Sequence, residues 1–84
     1  QTLVDQLKGI EEEEPSRVFS ILELGAGTGA LTAIILQKIS EQTKIIQENR
    51  LIYVFTDISE KFLSDGKKRF SSNYSCIQYQ LCHL

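Results

Sequence analysis

The chain has no methionine and no tryptophan, a single proline, a single histidine and two cysteines among its 84 residues. Each scarcity removes a class of explanation. One histidine and two cysteines at these spacings cannot assemble a zinc site, so no metal is expected. Cys76 and Cys82 fall on one face of a strand if that stretch is extended, about 20 Å apart and beyond disulfide reach. Both are expected as free thiols in a cytoplasmic protein. Excess charge of either sign is also missing. A net charge of −2 and a pI near 5.3 offer no basic face for nucleic acid. No apolar run approaches the roughly 18 residues of a membrane span. The opening Gln1-Thr2-Leu3 carries no basic or apolar leader, and without an initiating methionine the chain reads as a segment of something longer. The length allows one small domain at most.

What is present centres on Ile21-Leu22-Glu23-Leu24-Gly25-Ala26-Gly27-Thr28-Gly29-Ala30. An apolar run carrying one carboxylate breaks into a turn with glycine at alternate positions, and a helical pattern follows. Such a turn lets the backbone bend sharply and come close to a ligand. The first amides of the next helix point into the same space.

The rest of the chain supplies support. Leu3, Val4, Leu7 and Ile10 mark one face of a leading helix over 2–10. Glu11 to Glu14 and Pro15 then read as a solvated acidic loop. Val18–Leu24 is apolar on both faces and predicts a strand buried on both sides of a parallel sheet. The second helix is expected from Thr28 to about Glu48, with Leu31, Ile34, Ile35, Leu36 and Ile39 as its inward stripe and a weak point at Ser40–Thr43. Leu51–Asp57 is a β-branched and aromatic second strand. Ser59 caps a third helix reaching Phe70, whose Lys61, Lys67, Lys68 and Arg69 read as solvated. Ser75–Leu81 alternates as a half-exposed third strand. Alternating helices and strands imply parallel pairing with right-handed crossovers.

In an open parallel sheet, ligands bind beyond the carboxyl ends of the strands. Neighbouring strands would bring Gly25, Gly27 and Asp57 to one crevice, where Asp57 can accept two ribose hydroxyls. Gly25 to Ala30 also satisfies the dinucleotide pattern. Against a pyrophosphate stands Glu23, a carboxylate two residues before Gly25. A cationic nucleoside such as S-adenosylmethionine tolerates that charge. For Glu23 the bland alternative is a strand-end acid paired with an unseen base. For Asp57 it is a helix cap.

Glu23, Gly25, Gly27 and Gly29 fill every position of the first motif of class I methyltransferases. Together with Tyr53-Val54-Phe55-Thr56-Asp57-Ile58-Ser59 and Phe62, the chain resembles the carbon-methyltransferase domain of polyketide synthases over about residues 15 to 82. The resemblance implies a Rossmann-like α/β half-sheet of three parallel strands in the order 3-2-1, part of a seven-stranded fold. Residues 1–14 would lead, and 15–84 would form the cofactor-binding β-α-β-α-β unit. It implies S-adenosylmethionine as cofactor. Glu23, Gly25, Ala26, Gly27, Thr28 and Gly29 would hold the methionine part, Asp57 the ribose and Ile58 the adenine. Where relatives carry Leu-Asp at the end of the third strand, this chain has Leu81-Cys82, so Cys82 brings a poorly accepting thiol to the adenine. The implied partners are the rest of a synthase and a carrier-bound acyl substrate. The catalytic base would lie outside this chain, with His83 a tail residue and no catalysis expected from the segment alone. Two other readings stand beside this one: an NAD(P)-binding half-domain of an oxidoreductase, and a non-catalytic methyltransferase-like module.

Overall fold

The computed structural model describes residues 2–82. His83 lies outside the described residues. Thr2 opens the first helix, α1 (Leu3–Glu13), with a capping box: its hydroxyl accepts the Asp5 amide while the Asp5 carboxylate accepts the Thr2 amide. The helix runs three residues past the expected end at Ile10 because glutamate is a good helix former, and Glu14 before Pro15 leaves the helical region. The acidic run is therefore helical through Glu13.

Glu11 is not simply solvated either. The Arg50 guanidinium lies 3.8 Å from Glu11 and 2.6 Å from Glu48, and donates to the Arg17 carbonyl at 3.1 Å. Its side chain is only 11% exposed, so one cation ties α1 to two loops. Arg50→Ala should lower stability by about 1 kcal/mol, because it removes a mostly buried cation whose partners Glu11 and Glu48 are 21% and 49% exposed. A shift of the urea midpoint in the purified protein would measure this.

Three strands, β1 (Phe19–Glu23), β2 (Leu51–Asp57) and β3 (Ile77–Leu81), form a parallel sheet with β2 in the centre. Phe19 pairs with Leu51, and Tyr53 with Ile77. This is the expected order. Helices α2 (Ala30–Gln42) and α3 (Glu60–Phe70) are the crossovers. One sheet face carries Phe19, Leu51, Tyr53, Phe55 and Ile77, all buried. The opposite face carries Ser20, Leu22, Ile52, Gln78 and Gln80, all exposed, with Val54 half-buried and Thr56 buried where it bonds the glycine turn. The expectation that the first strand is buried on both sides is thus corrected: among the described residues the sheet is covered on one face. The half-exposed character expected of β3 is observed.

The second helix stops at Gln42 rather than near Glu48. Thr43 turns its hydroxyl back to the Ile39 carbonyl at 2.8 Å and leaves helical geometry. Ile45, inside the span expected to be helical, is fully buried from the turn that follows. Within α2, Leu36 and Ile39 are buried, but Leu31 and Ile34 are exposed and Thr32 is turned inward. The apolar stripe is wider than the sheet face beneath it.

Candidate functional site

The glycine turn joins β1 to α2 and is shaped by positive φ at Gly25 (63°), Gly27 (57°) and Gly29 (82°). The end residues of the three have different surroundings. A Cβ on Gly25 would meet nothing within 4 Å, so that position opens to solvent. A Cβ on Gly29 would lie 2.8 Å from the Phe70 ring. Gly25 thus allows close approach from outside, while Gly29 allows close packing from behind.

β2 fastens the turn at three points. The Thr56 hydroxyl donates to the Glu23 carbonyl at 2.7 Å, and the Ala26 amide donates to the Thr56 carbonyl at 2.9 Å. The Gly27 amide donates to Asp57 Oδ2 at 2.8 Å. The other oxygen, Oδ1, accepts the Ser59 amide at 2.9 Å, while the Ser59 hydroxyl caps α3 on the Phe62 amide. The Ser59 and Gly27 amides hold the Asp57 carboxyl below the usual carboxylate range, against a smaller opposing effect of burial. Asp57 therefore holds the amide of Ser59, the residue that caps α3, without being the cap itself, and it also grips the glycine turn. Each oxygen keeps a lone pair for a further donor.

Among the described residues no base pairs with Glu23. Its Oε1 accepts hydrogen bonds from the hydroxyls of Thr32 on α2 and Tyr53 on β2. Both donors are fully buried. Burial, and then the Glu23 hydrogen bond and charge, push the Tyr53 phenol well above its ordinary range.

A pocket of about 360 Å³ opens beside the turn, lined by Leu24, Gly25, Asp57, Ile58 and Cys82. Its volume lies within the span of small-ligand sites, roughly 300–1,000 Å³. The Cys82 amide donates to the Asp57 carbonyl at 2.9 Å, which fixes the far wall. Four of the residues singled out from sequence line it: Gly25, Asp57, Ile58 and Cys82. Gly27 stands behind, bound to Asp57. Glu23, Ala26, Thr28 and Gly29 do not line it. Ala26 is buried in the core. Thr28 is exposed, and its carbonyl accepts Arg69 at 3.0 Å, so Arg69 is not simply solvated. Sequence reasoning missed Leu24, though its place directly before Gly25 was a usable signal. It also missed Thr32, Tyr53 and Thr56, whose roles depend on strand pairing.

The chemistry of this pocket suits an adenosyl group. Leu24 and Ile58 offer apolar surface to a purine, Asp57 offers acceptors to a diol, and Gly25 leaves room for close contact. Among the described residues that line it, none is a cation that would meet a pyrophosphate. Among the described residues no cluster of metal-ligating side chains occurs, and no helix is long and apolar enough to cross a membrane. Cys76 and Cys82 are both free thiols.

The chain is similar to known proteins along most of its length. The non-reducing polyketide synthase mapC of Penicillium brevicompactum is 43% identical over 69 residues, which cover 82% of this chain and 3% of that protein. Polyketide synthase PksM of Bacillus subtilis is 34% identical over 80 residues, covering 95% of this chain and 2% of PksM. The chain thus spans only a few per cent of the curated relatives it matches. Among solved structures, the DszA carbon methyltransferase superposes with a TM-score of 0.74 at 29% identity, over 96% of this chain and 21% of that one. The CurJ carbon methyltransferase gives 0.65 at 29% identity, over 99% and 23%. A family model matches residues 1–83, and on that match the chain belongs to the S-adenosyl-L-methionine-dependent methyltransferases.

Proposed function

We propose that this chain supplies the S-adenosylmethionine-binding face of a carbon methyltransferase that works within a multidomain polyketide synthase. The observation that carries the cofactor reading is the pocket itself, where Gly25, Asp57 and Ile58 meet with the carboxylate already anchored by two backbone amides. Asp57 accepts the ribose hydroxyls. Leu24 and Ile58 flank the purine, with Cys82 on its far side. Glu23 and the glycine turn face the amino-acid part. Residues 1–14 lead into this unit, and 15–84 form it.

Bound here, S-adenosylmethionine supplies an electrophilic methyl group. This chain contributes binding and orientation, which hold the reacting centres in line. The base that generates the carbanion belongs to another part of the protein. The acceptor, an acyl chain on a carrier protein, is inferred from the polyketide synthases and carbon methyltransferases that the chain resembles. The cytoplasmic setting rests on the free thiols.

Titration calorimetry on the full-length protein tests the cofactor reading. S-adenosylhomocysteine should bind with a one-to-one stoichiometry, and NADH should give no heat. Binding of NADH without S-adenosylhomocysteine would instead favour the oxidoreductase half-domain.

A further inference from the structure

We propose that Thr32 and Tyr53 are positioning residues, which fix the Glu23 carboxylate so that its second oxygen receives the ammonium of the ligand's amino-acid moiety. The proposal rests on the adenosyl reading of the pocket and adds to it two hydroxyls outside the glycine motif.

Three observations converge. First, both donors sit on one oxygen. The hydroxyls of Thr32 and Tyr53 reach Oε1, and none of the described hydrogen bonds uses Oε2. The buried oxygen is thereby satisfied within the protein, and Oε2 is left to a donor from outside it. Second, the donors are fully buried while Glu23 is only half-buried, so the anchored end faces the core and the group as a whole stays reachable. Third, none of the ion pairs among the described residues engages Glu23. The carboxylate stands at the base of the turn, directly before the pocket residues Leu24 and Gly25, with no cation of the described chain on it.

Tyr53 lies between Leu51 and Phe55 on the buried face of β2, where a phenylalanine would fill the same space. A hydroxyl there is costly unless bonded. Thr32 is the third residue of α2, turned inward while its neighbour Leu31 is exposed. Two elements thus each place a polar group in the core to reach one oxygen atom.

Two ligands separate positioning from plain structural support. S-adenosylhomocysteine carries the amino-acid moiety, and 5′-methylthioadenosine lacks it. In the full-length protein, Tyr53→Phe and Thr32→Val should each weaken S-adenosylhomocysteine about tenfold. Affinity for 5′-methylthioadenosine should stay within about twofold of wild type. Thr32→Ser, which keeps the hydroxyl, should restore the S-adenosylhomocysteine affinity. Equal losses for both ligands, or no loss for either, would overturn the proposal while leaving the adenosyl pocket standing. Failure of the wild-type protein to bind either ligand would overturn the pocket reading, and this proposal with it.

Discussion

Gly29→Ala should lower stability by about 2–5 kcal/mol, more than any other single-methyl addition in the glycine turn. Two costs combine. At φ 82° a side chain sits in the left-handed region, which costs roughly 1–2 kcal/mol. The new methyl would also lie 2.8 Å from Cε2 of Phe70, a ring only 4% exposed and packed against Phe55 at a centroid distance of 6.2 Å. A ring so enclosed cannot swing aside, and overpacking of this kind costs about 1–3 kcal/mol. Two further variants separate the terms. Gly25→Ala carries the positive φ without a neighbour in reach, so it should show the backbone cost alone. Gly66→Ala lies within α3 and meets the Phe55 ring at 2.8 Å, so it should show the packing cost less the roughly 1 kcal/mol that alanine gains over glycine in a helix. Urea unfolding of the three variants should rank Gly29→Ala as the most damaging. Equal midpoints would mean that the Phe70 ring relaxes freely.

Asp57→Ala should weaken S-adenosylhomocysteine by about ten- to a hundredfold, the span expected when a charged acceptor is lost from a buried site. The substitution removes more than a ligand contact. It frees the Gly27 and Ser59 amides together, so the turn and the start of α3 both lose their fastening. Asp57→Asn should do nearly as badly, because an amide has one acceptor oxygen where two backbone donors converge. The pH dependence follows from the same bonds. The carboxyl is held below its ordinary value of 3.8, so its contribution to stability is complete above that pH. The contribution is lost as pH falls through the lower folded value. Acid titration of the unfolding midpoint should therefore show a limb below about pH 4 that shrinks in the Asp57→Asn variant.

The sheet could be read from the sequence because its signals are local. Leu51–Asp57 matches β2 from end to end, since β-branched and aromatic residues run unbroken to a terminal acid. The misread boundaries came from residues whose partners are distant. Ile45 and Ile46 look like more helix, yet the buried Ile45 reaches the core from a turn in which Asn49 takes a positive φ of 56°. The glutamates look like a loop, yet their helix propensity carries α1 through Glu13, and the contact of Glu11 with Arg50 comes from far along the chain. The pocket was legible in Gly25, Asp57, Ile58 and Cys82 because strand ends in a parallel sheet meet predictably. The grip on Glu23 was not. Its donors come from a helix and a neighbouring strand, and neither hydroxyl stands out in sequence from an ordinary core residue.

The rings behind Gly29 and Gly66 also bear on how such a site can be altered. Phe55 and Phe70 brace the turn from within, so its shape is set by side chains that do not line the pocket. Directed evolution aimed at the glycines or these rings should yield mostly unfolded clones. Ile58 and Leu24, at 66% and 70% exposed, can vary without disturbing that brace. Libraries for enlarged cofactor analogues should therefore randomise Leu24, Ile58 and Cys82, and keep the glycine turn and its two phenylalanines constant.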